Sequence, residues 1–119
     1  MTSETFSVLI AIDDPDQMRL LCIRFRQANC DVNVVESRAS LVRECAEATY
    51  DLVVVDEALE AINGPSMEEC TSALRSQRFL AMCSDMPHSA LRADIPVLQR
   101  PVTREGVEDL LEKCRVISE

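Results

Sequence analysis

The stretch FSVLIAIDDP, Phe6–Pro15, runs from an apolar segment through two adjacent acids into a proline. Phe6–Ile12 is short, apolar and without alternation, which reads as a buried strand. Asp14-Pro15 then combines a side-chain acceptor for a helix cap with proline at the first helical position. Met18, Leu21, Cys22 and Phe25 follow at helical spacing. The stretch is therefore a strand that feeds directly into a helix. Asp13 and Asp14 at the junction have two readings: solvated loop acids, or charges that the strand delivers to a site.

The same unit recurs along the chain. YDLVVVD (Tyr50–Asp56), FLAMC (Phe79–Cys83) and IPVLQ (Ile95–Gln99) are further short apolar runs. DVNVVE (Asp31–Glu36) alternates polar and apolar residues, as a strand with one exposed face does near a sheet edge. Helices are expected between them. One starts at Ser37 or Ser40 with Leu41, Val42, Cys45 and Ala48 inward. Another starts at the capping-box pattern SMEE, Ser66–Glu69, and runs to about Ser76. A last one starts near Thr103 with the apolar stripe Val107, Leu110, Leu111 and Cys114. The segment Asp85–Asp94 has room for a turn or two of helix. Strands alternating with helices imply an α/β fold with parallel pairing through right-handed crossovers.

The totals bound the function. A chain of 119 residues is expected to form a single domain, residues 1–119, with a core that needs neither disulfides nor metal. Lys plus Arg is 12 against 21 Asp plus Glu, a net charge of −9. Such a surface repels phosphate backbones and anionic lipid, which disfavours direct nucleic-acid or membrane binding. The six cysteines form no C-x-x-C pair and match no zinc module. Several lie among apolar neighbours, where cysteine acts as a small hydrophobe, so reduced thiols and a cytoplasmic location are expected. No stretch has the make-up of a signal peptide or the length of a membrane span. With Gly64 and Gly106 the only glycines, there is no glycine-rich phosphate loop, and there is no nucleophile elbow.

In open parallel sheets, ligands bind outside the carboxyl ends of the strands. Every apolar strand here ends there in a polar residue: Asp13 and Asp14, Asp56, Ser84, and Arg100. Clustered carboxylates repel one another and call for a divalent cation. Magnesium suits them, since it takes hard oxygen ligands and keeps waters and phosphate oxygens. A hydroxyl and a guanidinium across the site could hold phosphoryl oxygens, and one carboxylate could act as a nucleophile. Taken singly, each residue also has a plain structural reading. The most substantial is a salt bridge from Arg100 to Asp56 that would hold the domain in one state.

Across nearly its whole length the chain resembles a receiver domain of two-component response regulators. IDDPDQMR is similar to the family's acidic pair and following helix, and DLVVVD to the strand carrying its phospho-accepting aspartate. Gly64 lies eight residues after Asp56, LAMCS matches the strand ending in Ser or Thr, and RPVTREGVEDLL matches the Lys-Pro segment and last helix. The resemblance implies a flavodoxin-like, doubly wound five-stranded parallel sheet in strand order 2-1-3-4-5. It implies that Asp56 accepts a phosphoryl group from a phosphohistidine donor as an aspartyl phosphate. Asp13, Asp14, Asp56 and the backbone carbonyl of Ala58 would hold Mg2+. Ser84 would turn to hydrogen-bond the phosphoryl group, and Arg100 would stand in the catalytic set at the position of the family's lysine. The implied partners are a sensor histidine kinase or phosphotransfer protein and a downstream effector, with a homodimer as a further possibility. No independent enzymatic activity is expected beyond assistance to its own phosphotransfer.

The chain departs from the pattern at four places. Arg100 replaces the lysine, Leu59-Glu60 replaces Met-Pro, Val97 stands at the aromatic switch position, and 15 residues separate Ser84 from Arg100, which shortens the fourth helical unit. These departures motivate a second reading, a phosphorylation-independent pseudo-receiver that serves as an interaction or dimerisation module.

Overall fold

The computed structural model describes residues 6–56, 58–59, 64–66, 69–70, 72, 74, 77–84, 95–100 and 102–118. The strands are β1 (Phe6–Ala11), β2 (Cys30–Val35), β3 (Leu52–Asp56), β4 (Leu80–Ser84) and β5 (Val97–Gln99). The helices are α1 (Pro15–Gln27), α2 (Arg38–Glu47) and α3 (Arg104–Ser118). All strand pairs are parallel, and the sheet order is β2-β1-β3-β4-β5. This is the flavodoxin-like order that the family resemblance implies.

The sheet is covered on both faces, which is why its central strands are apolar without alternation. Val8, Ile10 and Ile12 face a core shared with Leu21 and Phe25 of α1 and with Val107, Leu110, Leu111 and Cys114 of α3. Leu9 and Ala11 face a second core with Leu41 and Cys45 of α2, Leu59, Cys70 and Leu74. Phe25 and Leu9 are fully buried, and burial of such side chains contributes about 1.5–3 kcal/mol each. Edge strand β2 keeps the alternation seen in the sequence: Val32 is buried while Asp31 and Asn33 are exposed.

Helix ends follow their local chemistry. Asp14 Oδ1 accepts hydrogen bonds from the amides of Asp16 at 3.0 Å and Gln17 at 3.3 Å, and Pro15 opens the first turn of α1. At its other end Asn29 takes φ 64°, the left-handed conformation that asparagine tolerates better than most residues. Ser37 rather than Ser40 caps α2, its hydroxyl accepting from the Ser40 amide at 3.0 Å. Ser66 and Glu69 form the reciprocal capping box, with both amide-to-side-chain bonds at 3.1 Å. The helix expected from there to about Ser76 is helical at residues 69, 70 and 72, and its remainder falls partly outside the described residues. The short unit Asp85–Asp94 lies outside them altogether.

Strand ends differ from expectation for identifiable reasons. β3 begins at Leu52 and not Tyr50, because Asp51 is engaged with Ser7: its Oδ2 accepts from the Ser7 amide at 2.9 Å and the Ser7 hydroxyl at 3.1 Å. β5 begins at Val97 and not Ile95, since Pro96 has no amide to donate and contributes only its carbonyl, to the Met82 amide at 2.9 Å.

Two buried polar side chains were not legible as such. The Gln77 amide sits between α2 and the start of β3. Its Oε1 accepts from the Tyr50 amide at 2.6 Å, and its Nε2 donates to the carbonyls of Cys45 at 3.1 Å and Ala48 at 3.2 Å. It thereby satisfies carbonyls that the end of α2 leaves without helical partners. The Tyr50 hydroxyl donates to Glu44 Oε1 at 2.6 Å. Burial, and then the hydrogen bond to the Glu44 carboxylate, push the Tyr50 phenol up to about 12.

All six cysteines are buried thiols, as their apolar neighbours indicated. Burial raises the Cys22, Cys70 and Cys114 thiols and pushes Cys45 up to about 11, so they are packing groups rather than nucleophiles. Among the described residues no helix is long and apolar enough to cross a membrane.

Two measurements check this packing. Gln77→Leu strands one buried amide and two carbonyls and should lower stability by about 2–3 kcal/mol in urea unfolding, whereas a surface-like change below 0.5 kcal/mol would contradict the bridge. Tyr50 is the sole tyrosine. Its phenolate absorbance should rise near pH 12 in the folded chain, well above the urea-unfolded chain. Because folding raises this pKa, the stabilisation is complete below the unfolded value near 10 and is lost as pH climbs to about 12; Tyr50→Phe should remove that part of the decline.

Candidate functional site

Parallel register brings the chemistry-bearing residues to one sheet edge. Ala11 pairs with Val55, Asp56 with Cys83, and Ser84 with Gln99. Asp56 therefore ends β3 where β1 gives way to Asp13 and Asp14, and Ser84 ends β4 beside the residue that precedes Arg100. The Arg100 amide donates to the Ser84 carbonyl at 2.9 Å, which ties the start of that loop to the sheet.

The centre of the site is Asp56, which is 2% exposed. Burying a carboxylate is costly unless a counter-charge and hydrogen-bond donors compensate it. Asp56 has both. Arg100 Nη1 donates to Asp56 Oδ2 at 2.9 Å, with the arginine side chain itself 15% exposed. The Ala58 amide donates to Asp56 Oδ1 at 2.9 Å, and the Leu59 amide donates to the Asp56 carbonyl at 3.0 Å. The carboxylate thus closes a tight turn onto itself, the arrangement short acidic side chains favour. Leu59, which follows, is fully buried in the second core and anchors that turn. The sequence reading missed the Ala58 amide as a partner of Asp56; a short acidic side chain at the end of an apolar run, where the chain turns, is the signal that could have suggested it.

Asp13 and Asp14 lie at the same edge but are exposed. Asp14 has one oxygen committed to the α1 cap. The three acids are not drawn into a ready-made cluster: among the described residues no three His, Cys, Asp or Glu side chains are grouped as metal ligands. The expected repulsion between clustered carboxylates is thus relieved within the protein, by the cap at Asp14 and the guanidinium at Asp56. The donors remain hard oxygens of the kind Mg2+ takes, and neither Asp13 nor Oδ2 of Asp14 is hydrogen-bonded among the described residues. In donor chemistry the edge therefore fits a magnesium ion.

Ser84 is 4% exposed at the end of β4. Val97, at the expected aromatic position, is half-buried in β5. Glu60 lies outside the described residues.

The fold recurs among solved structures. The receiver domain of the sensor histidine kinase PA1611 from Pseudomonas aeruginosa PAO1, which holds a magnesium ion in its active-site cleft, aligns with a TM-score of 0.79 at 17% identity, over 92% of this chain and 97% of that one. The CheY-like receiver domain from Methylobacillus flagellatus gives 0.80 at 16% identity over 93% and 99%. The chemotaxis response regulator CheY4 of Vibrio cholerae gives 0.78 at 14% identity over 93% and 99%. No protein-family model and no curated protein matches the chain. The chain has the fold of response-regulator receiver domains.

The Asp56–Arg100 pair is open to a double-mutant cycle. Arg100→Ala alone leaves a buried charge unpaired and should destabilise by about 3–5 kcal/mol, while Asp56→Asn with Arg100→Ala should lose clearly less than the sum of the two single changes. Additive losses in urea unfolding would mean that the pair does not hold the edge together.

Proposed function

We propose that the chain is a signal-transduction receiver in which Asp56 accepts a phosphoryl group from a phosphohistidine of a sensor histidine kinase or phosphotransfer protein. The observation that carries this reading is the meeting of Asp56, Ser84 and Arg100 at the carboxyl edge of a receiver-type sheet, next to Asp13 and Asp14. One oxygen of Asp56 forms the new P–O bond as the P–N bond of the donor breaks. The imidazole keeps the bonding pair and takes up a proton. The Ala58 amide holds Oδ1 in place during this exchange. Arg100 moves its charge from the consumed carboxylate oxygen to the phosphoryl oxygens, and the Ser84 hydroxyl turns to donate to them.

Asp13, Asp14, Asp56 and the carbonyl of Ala58 would hold Mg2+, which when bound neutralises charge on the transferring phosphoryl group. The new anion shifts the population of states at the ends of β4 and β5, and through them a surface read by an effector protein or by a second copy of the chain. On this reading residues 1–119 work as one receiver unit in the cytoplasm and have no enzymatic activity of their own beyond this transfer.

One observation favours a second reading. Both oxygens of Asp56 are already engaged and its charge is already matched, as a phosphorylation-independent pseudo-receiver requires. The two readings part in one experiment: intact-protein mass after incubation with acetyl phosphate and Mg2+, beside Asp56→Asn. A single phosphoryl adduct, absent from the variant and absent without Mg2+, is the expected result. No adduct under any condition would leave the pseudo-receiver in its place.

A further inference from the structure

Asp56 and Arg100 form more than a charge pair at the rim. The carboxylate is 2% exposed and the guanidinium side chain 15%, so the attraction between them is little screened by solvent. The backbone of Arg100 is pinned to Ser84 by a 2.9 Å hydrogen bond, which limits how far the side chain must reach. The Ala58 amide holds the other oxygen of Asp56. Arginine cannot relieve a clash of charges by giving up its proton, and its planar fork is pre-organised for a carboxylate in a way that the lysine ammonium is not.

We propose that Arg100 gates the site against divalent cations. Its guanidinium occupies the place of positive charge at Asp56 Oδ2, and a cation loads the edge only in the state in which Arg100 has left that oxygen. This rests on the receiver reading and concerns the regulation of that same site. A ligand that binds a minor state has its apparent affinity reduced by that state's population. At rest the edge is therefore self-neutralised and its hold on the cation is weak. Arrival of a phosphoryl group gives the guanidinium phosphoryl oxygens to pair with and draws it away from Asp56 Oδ2. Cation and phosphoryl group thus favour each other's binding, and the coupling is reciprocal. The exposed acids Asp13 and Asp14 set how well the opened edge holds the cation, while Arg100 sets how often it is open.

The test is calorimetric titration of MgCl2 into the full chain at fixed ionic strength, for the wild type, Arg100→Met, Arg100→Lys and Asp56→Asn, with circular dichroism to confirm that each is folded. Arg100→Met should bind Mg2+ about tenfold or more tightly than the wild type, and Arg100→Lys should fall between them, since an ammonium on a flexible stem holds the oxygen less firmly. Asp56→Asn should bind worst. If Arg100→Met does not fold, Arg100→Lys alone decides, by binding more tightly than the wild type or not. Equal affinity in the wild type and both arginine variants would overturn the gate. If the phosphoryl adduct still forms in the wild type, that result leaves the receiver reading standing. No binding in any variant, combined with no adduct, would sink both.

Discussion

The structure depends on the register of β1 against β3, set where Val8 meets Leu52 and Ala11 meets Val55. Both strands are buried on both faces, so a slip of one residue would exchange the two cores and turn every side chain to the wrong side. Leu9 and Ala11 would meet α1 and α3 in place of α2; Ile10 and Ile12 would do the reverse. The same register lines up the carboxyl ends of the strands. The polar edge is therefore a consequence of how the core packs, and the position of Asp56 is as tightly specified as that of Val54.

That specification has an electrostatic price. A strand that ends in a buried carboxylate brings a charge out of water. Arg100 offsets it from the other side of β4, and the offset holds because the β4–β5 ladder delivers Arg100 beside Ser84. The fold and the charge balance support each other. Parallel pairing brings the guanidinium within reach, and the ion pair in turn fastens the loop after β5 to the centre of the sheet. Asp14 meets a different demand. It lies at the mouth of the same edge, yet it serves the backbone of α1, whose first amides have no helical partners. One acid can cap a helix through one oxygen and still offer the other, so the two roles are compatible.

On the far side of the molecule, the end of α2 is joined to the sheet by side chains and not by continued helix. Gln77 reaches across 27 residues to the Tyr50 amide, and Tyr50 returns a bond to Glu44 on α2. This polar seam lies between apolar layers. Each of its members has partners, which is what allows a buried amide and a buried phenol to coexist with the second core.

By itself the sequence determined the elements and their faces. Short apolar runs, helical spacing and capping residues are local signals, and β1 to β5, the Asp14 and Ser66 caps and the stripe Val107, Leu110, Leu111 and Cys114 follow from them, whereas the choice of Ser37 over Ser40 as the α2 cap does not. Alternation marked β2 as an edge, and the polar strand ends marked one rim of the sheet. The partners of those polar groups were settled only in three dimensions. Asp56 and Arg100 are 44 residues apart, as are Ser7 and Asp51. Periodicity can place such residues at an edge, but it carries no information on which donor reaches which oxygen. That choice depends on distance, burial and competition among neighbours, and these exist only once the strands have paired.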